Sequence, residues 1–97
     1  MDTQSLQAFI TVAETRSFSR AAEILHITQP AVSKRIANLE SQLDSRLFDR
    51  IGRKTHLTEA GHALMPRARR VLIELEDTRR LLNNINGEVS GSLILGT

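Results

Sequence analysis

Apolar residues recur along this chain at helical spacing in four places, and the clearest is Thr28 to Leu43. There Val32, Ile36, Leu39 and Leu43 follow steps of four, three and four, which puts them on one stripe of a 3.6-residue helix. Thr28 suits the N-cap and Pro30 the first turn, where a missing N–H leaves no partner wanting. The opposite face carries Pro30, Ser33, Lys34 and Ala37, with Gln29 at its edge. It is small, polar, weakly basic and free of carboxylates over its first two turns. Upstream, Leu6, Phe9, Ile10 and Ala13 mark the apolar face of a first helix over residues 2–15, capped by Asp2 or Thr3. Ser17 caps a short second helix with Phe18, Ala21, Ala22 and Leu25 facing inward. Only His26-Ile27-Thr28 separates it from the third helix, a helix-turn-helix spacing. The small pair Ala21-Ala22 lets two helices cross closely, and His26 takes the usual glycine position in the turn.

After Arg46 the period changes. Leu47-Phe48 and Thr55-His56-Leu57 are short β-prone pieces around Arg50-Ile51-Gly52-Arg53-Lys54, which predicts a small hairpin with Gly52 in its turn. Thr58 opens a last helix expected to run to Asn86, about 43 Å at 1.5 Å per residue. Leu64, Ala68, Val71, Leu75, Thr78, Leu82 and Ile85 follow coiled-coil spacing, widened by Leu72 and Leu81. Pro66 predicts a kink or local irregularity. Asn83, Asn84, Asn86 and Gly87 are expected to end the helix, and Ser92 to Thr97 reads as a β-strand with nothing to pair with. Such a strand suggests a piece of a longer protein.

The bulk figures add little to this. The 97 residues suffice for one small domain and an appended element, and few Gly, Pro or aromatics favour an all-helical fold. The net charge is only +2, so its distribution matters more: Arg46, Arg50, Arg53 and Lys54 gather around the single acid Asp49. Without cysteine there are no disulfides or thiolate metal sites. No apolar run approaches the roughly 20 residues of a membrane span, and the acidic, coreless N-terminus is not a secretion signal. A cytoplasmic protein is the default expectation.

The segments LQAFITVAETRSFSRAAEIL, TQPAVSKRIANLE and LFDR-x-GRK-x-x-LTEAG, together spanning Leu6 to Gly61, resemble in order and spacing the N-terminal region of LysR-type transcriptional regulators. The resemblance implies an all-α winged helix-turn-helix over residues 1–57, with the hairpin as wing. It further implies a linker and dimerisation helix over 58–86, then over 87–97 a hinge and the first strand of an effector-binding domain not contained in this chain. It also implies sequence-specific binding of double-stranded DNA at an interrupted palindrome by a homodimer, and for the full-length protein a dimer or tetramer. No cofactor is expected in this chain; a small-molecule effector would bind the absent domain.

On this reading Gln29, Pro30, Ser33 and Lys34 are candidates for base edges in the major groove: Gln suits adenine, Lys guanine, and Pro30 a thymine methyl. Lys34 alone could equally meet phosphate. Ser17, Ser19 and Thr28 stand at helix starts, where capping is their first role and phosphate contact an addition. Arg35, nearer the core side, is expected on phosphate or paired with an acid. In the wing, Arg53 is the leading candidate for minor groove or backbone, with Arg50 and Lys54 nearby; Arg50 could instead pair with Asp49 or a core carboxylate. Leu64, Ala68, Val71, Leu75, Leu82 and Ile85 are the candidate dimer seam. His56 and His62 are too far apart in sequence for a one-face pair, so no metal site is expected. No nucleophile elbow, phosphate loop or catalytic carboxylate pair is present, so an enzyme is not expected. Glu74, Glu76 and Asp77 read as surface partners of Arg70, Arg79 and Arg80. The alternative is a coiled-coil protein-interaction module using a helix-turn-helix scaffold, since fold does not dictate function.

Overall fold

The computed structural model describes residues 1–52 and 54–90, with side chains described to Asn86. Along these residues run α1 (Thr3–Thr15), α2 (Phe18–Leu25), α3 (Gln29–Leu43), the strands β1 (Phe48–Ile51) and β2 (Lys54–Leu57), and α4 (Glu59–Ser90).

Each helix starts where a side chain takes up a free N–H of the first turn. Asp2 accepts from Ser5 N–H at 2.7 Å, Ser17 from Arg20 N–H at 3.1 Å, Thr28 from Ala31 N–H at 3.2 Å and Thr58 from Gly61 N–H at 3.1 Å. The first three helices stop on left-handed residues: Arg16 at φ 57°, His26 at φ 59° and Asp44 at φ 50°. After His26, the Ile27 N–H reaches back to the Ala22 carbonyl at 3.1 Å and closes the helix-turn-helix corner. Gly52, at φ +64°, turns the hairpin, whose antiparallel register pairs Phe48 with Leu57 and Ile51 with Lys54.

α1, α2 and α3 pack pairwise around Phe9, Val12, Val32 and Leu39. Ala21 and Ala22 are buried at the helix-turn-helix crossing, as their size requires, and Leu43 is half-buried. On α1 the buried face is wider than Leu6, Phe9, Ile10 and Ala13: Ser5, Ala8 and Val12 are buried too, while Ile10 and Ala13 only flank the core. Phe48 joins hairpin to helices, its ring 5.4 Å from Phe9 and 5.9 Å from Phe18.

α4 carries Pro66 inside one helix and departs from expectation in two ways. It continues past Asn86 and Gly87 to Ser90. Asn and Gly lower helix propensity, but only Pro also removes a backbone hydrogen bond, so residues 83–87 need not end a helix. Leu64 and Ala68, placed on the dimer seam by spacing, turn instead against the chain's own core; Ala68 is 1% exposed, and Leu64, Met65 and Leu72 pack beside it. Exposed apolar residues on α4 begin at Val71 and include Leu75, Leu82 and Ile85, with Ile73 and Leu81 on neighbouring rows. Arg69 reaches Glu14 of α1 at 3.1 Å where the helix leaves the domain. The tail expected as a strand lies outside the described residues.

Candidate nucleic-acid interface

Three elements converge on one side of the domain: the start of α2, the start of α3 and the hairpin. Gln29, Pro30, Lys34 and Ala37 are exposed along α3, while Ser33 is half-buried. Ser33, Ile36, Ala37 and Glu40 form one wall of a groove whose other wall is Phe48, Asp49, Arg50 and Ile51 of β1. Ser33 therefore lines the open groove between α3 and the hairpin.

A second, smaller cleft opens beside it between α2 and the hairpin. Arg16, Ser17, Ser19, Gln29, Arg50 and Gly52 line it, with Phe18 and Thr55. Two arginines, three hydroxyl residues and a glutamine line this space, with no carboxylate among its lining residues. It lies at the start of α2, where unpaired N–H groups and the helix dipole favour an anion. Ser19 Oγ donates to Gln29 Oε1 at 2.9 Å, which orients the amide and leaves its NH2 to donate elsewhere.

Arg50 does not pair with Asp49 or a core carboxylate. Its guanidinium lies 4.8 Å from the centre of the Phe18 ring, where the ring face holds a cation without neutralising it. Asp49 is engaged by Arg46 at 3.6 Å. Thr28 caps α3 and Ser17 caps α2, as their positions predict. Arg35 is half-buried, and at about 100° per residue it lies across the buried stripe from Ser33. Lys54 is exposed at the start of β2; Arg53 lies outside the described residues.

Two features escaped the sequence. Arg16 enters the cleft because α1 ends on it in the left-handed conformation; its place just before the capping Ser17 was the available signal. His56 and His62, far apart in sequence, line one pocket with Arg16, Thr55 and Leu57 behind the hairpin. No group of three potential metal ligands stands together among the described residues. Of the surface pairs expected on α4, Arg80 meets Glu76 at 3.8 Å.

The chain matches the family model described as bacterial regulatory helix-turn-helix protein, lysR family, over residues 3–62. It is 70% identical over 97 residues to an uncharacterized HTH-type transcriptional regulator from the ibpB-leuC intergenic region of Azotobacter vinelandii, covering all of this chain and 67% of that protein. It is 43% identical over 93 residues to the HTH-type transcriptional regulator CfxR of Cupriavidus necator, covering 96% of this chain and 29% of that one. Among solved structures, the CbnR DNA-binding domain in its DNA complex superposes with a TM-score of 0.83 at 34% identity, covering 88% of this chain and 98% of that one.

Proposed function

Since the chain belongs to the lysR family of bacterial regulatory helix-turn-helix proteins, we propose that it binds double-stranded DNA sequence-specifically, as one half of a homodimer. The observation that carries this reading is the carboxylate-free cleft in which Arg16, Ser17, Ser19, Gln29 and Arg50 meet at the start of the exposed α3 face. A DNA backbone supplies the anion that such a cleft attracts, and the adjoining helix then enters the major groove. Gln29, Pro30, Ser33 and Lys34 face base edges; Arg16, Ser17, Ser19 and Arg50 hold phosphates. Lys54 and the hairpin tip lie along the minor groove or backbone. Arg35, across the buried stripe from that face, is assigned to phosphate or to a paired acid.

The proteins it resembles are transcriptional regulators, and regulation rather than catalysis is the role we assign. α4 would pair two copies along Val71, Leu75, Leu82 and Ile85, so that two α3 helices address the halves of an interrupted palindrome. The chain spans 29% of CfxR, and small-molecule sensing is assigned to length outside the 97 residues. No helix among the described residues is long and apolar enough to cross a membrane; a cytoplasmic location fits a DNA partner.

Selection of bound sites from random DNA, followed by gel shifts of the selected site at two salt concentrations, tests the proposal. A palindromic consensus bound far more tightly than unrelated DNA, with affinity falling steeply as salt rises, is expected. Binding that ignores sequence, or no DNA binding together with capture of a protein partner by the helix-turn-helix face, would favour the interaction-module reading.

A further inference from the structure

The row of α3 that offers Gln29 and Ser33 to the interface continues through Ile36 and Ala37 to Glu40, which also lines the groove facing the hairpin. Glu40 is half-buried. Oε2 accepts a hydrogen bond of 2.7 Å from the backbone N–H of Leu47, the residue immediately before β1. Leu47 is itself buried, at 1% exposure, so that N–H has no water to turn to if Glu40 is removed. On its other side the Leu47 carbonyl accepts the Thr58 N–H at 3.0 Å, and the Thr58 hydroxyl donates to the Arg46 carbonyl. The base of the hairpin is thus gripped by α3 on one side and by the start of α4 on the other.

Leu47 and Phe48 anchor the hairpin base in the core shared with Ile36 and Leu39 of α3, β2 packs on α1 and α4, and β1 meets α1 and α2 through Phe48 with Phe9 and Phe18. The Glu40–Leu47 hydrogen bond adds a directional polar link from α3 to that base. Between β1 and α3 lies the groove. Four-residue strands make a lever about 13 Å long, so a tilt of about 10° at the base moves the tip by roughly 2 Å. That is enough to take a charged tip out of register with a phosphate or a groove edge.

We propose that Glu40 is a positioning residue that fixes the wing against the recognition helix, setting the offset between major-groove contacts from α3 and contacts from the hairpin. Glu40 touches no DNA itself. Its negative charge, two turns beyond Ser33, is used up on the Leu47 N–H rather than presented to the backbone. This inference rests on the DNA-binding reading above.

The test measures the 97-residue chain and its variants on selected sites, varying separately the half-site bases under α3 and the flanking bases under the hairpin. Glu40→Ala is expected to lose the flank preference and to shallow the log–log salt slope by about 0.9, one phosphate contact. The loss per half-site base substitution should stay that of the wild type. Lys54→Ala should cost less in the Glu40→Ala background than alone, whereas Gln29→Ala should cost the same in both. Glu40→Gln keeps a carbonyl oxygen for the Leu47 N–H and should restore the wild-type profile. Glu40→Asp, one methylene short, should resemble the alanine variant and decides the matter if Glu40→Ala does not fold. Wild-type flank preference and slope in Glu40→Ala, or in Glu40→Asp should that variant decide, would overturn the proposal. So would equal losses at half-site and flank accompanied by lost helicity, which mark a stabilising role only. If the wild-type chain shows no site-specific binding, the DNA reading fails, whatever Glu40 does.

Discussion

Ser33 sits where α3 and the hairpin face each other across a groove, off the buried stripe and two turns before the nearest carboxylate of its row. Ser33→Glu should therefore leave circular dichroism and thermal stability nearly unchanged while abolishing specific binding, because the new charge repels the DNA backbone from inside the contact surface. Tight binding by this variant in a gel shift would mean that DNA approaches another face. A second residue-scale prediction concerns Asp2, whose carboxyl is held below its ordinary value of 3.8, first by the hydrogen bond from the Ser5 backbone N–H. A lowered folded-state pKa means that the stabilisation is complete above that ordinary value and is lost as pH falls through the folded one. Asp2→Asn, which cannot ionise, should accordingly lower stability slightly at neutral pH and flatten the acid limb, the two profiles converging in acid, as thermal melts from neutral to acid pH would show. A mutant with an unchanged acid limb would assign that limb to other carboxylates.

At the scale of elements, the hairpin base and the start of α4 approach closely at Gly61. A Cβ on Gly61 would collide with the Leu47 carbonyl oxygen and with Leu57 Cδ2, so the first turn of α4 lies directly on the hairpin base. Alanine would be the better helix former here, yet Gly61→Ala should destabilise by about 1–3 kcal/mol, the usual consequence of overpacking. A denaturant titration checks it; an unchanged or raised midpoint would mean that the hairpin base shifts at little expense. The helix-turn-helix corner was legible beforehand because its determinants are local: Ser17 and Thr28 as caps, His26 as the left-handed residue, Ala21 and Ala22 as spacers. The grip of Glu40 on Leu47 was not legible, because seven residues and a turn separate them and a Glu on a helix face reads as a solvated charge.

For the whole molecule the decisive feature is the length of α4. The principal extents are 57 × 26 × 20 Å, and the long axis exceeds what the helical domain can cover. Val71, Leu75, Leu82 and Ile85 stay exposed along it, while Leu64 and Ala68 are spent on the chain's own core. Each large aliphatic side chain gains roughly 1.5–3 kcal/mol on burial, so a second copy of the same stripe is the natural cover. Replacing both Leu75 and Leu82 by Asp should give monomers with an intact N-terminal domain. Binding to a full palindrome should then fall towards that for a half-site, since the effective concentration created by the tether is gone. Light scattering and paired binding measurements check both statements. A wild-type chain that stays monomeric at high concentration, and binds one half-site as well as two, would refute the dimer.

The sequence by itself determined the helices, their caps, the hairpin turn at Gly52 and the carboxylate-free face of α3. These depend on periodicity and on interactions between residues at most four apart, which a linear reading contains. Tertiary structure alone decided how the α4 stripe divides between a covered and a free part. It also decided that Arg50 lies on Phe18 instead of pairing with an acid, and that Arg16 joins Ser17, Ser19 and Gln29 in one cleft. It put His56 and His62 on the lining of one pocket. Each of these depends on the angle at which two packed elements meet, and that angle is fixed by side-chain volumes such as Ala22, Phe48 and Gly61 acting together across the core, not by spacing along the chain.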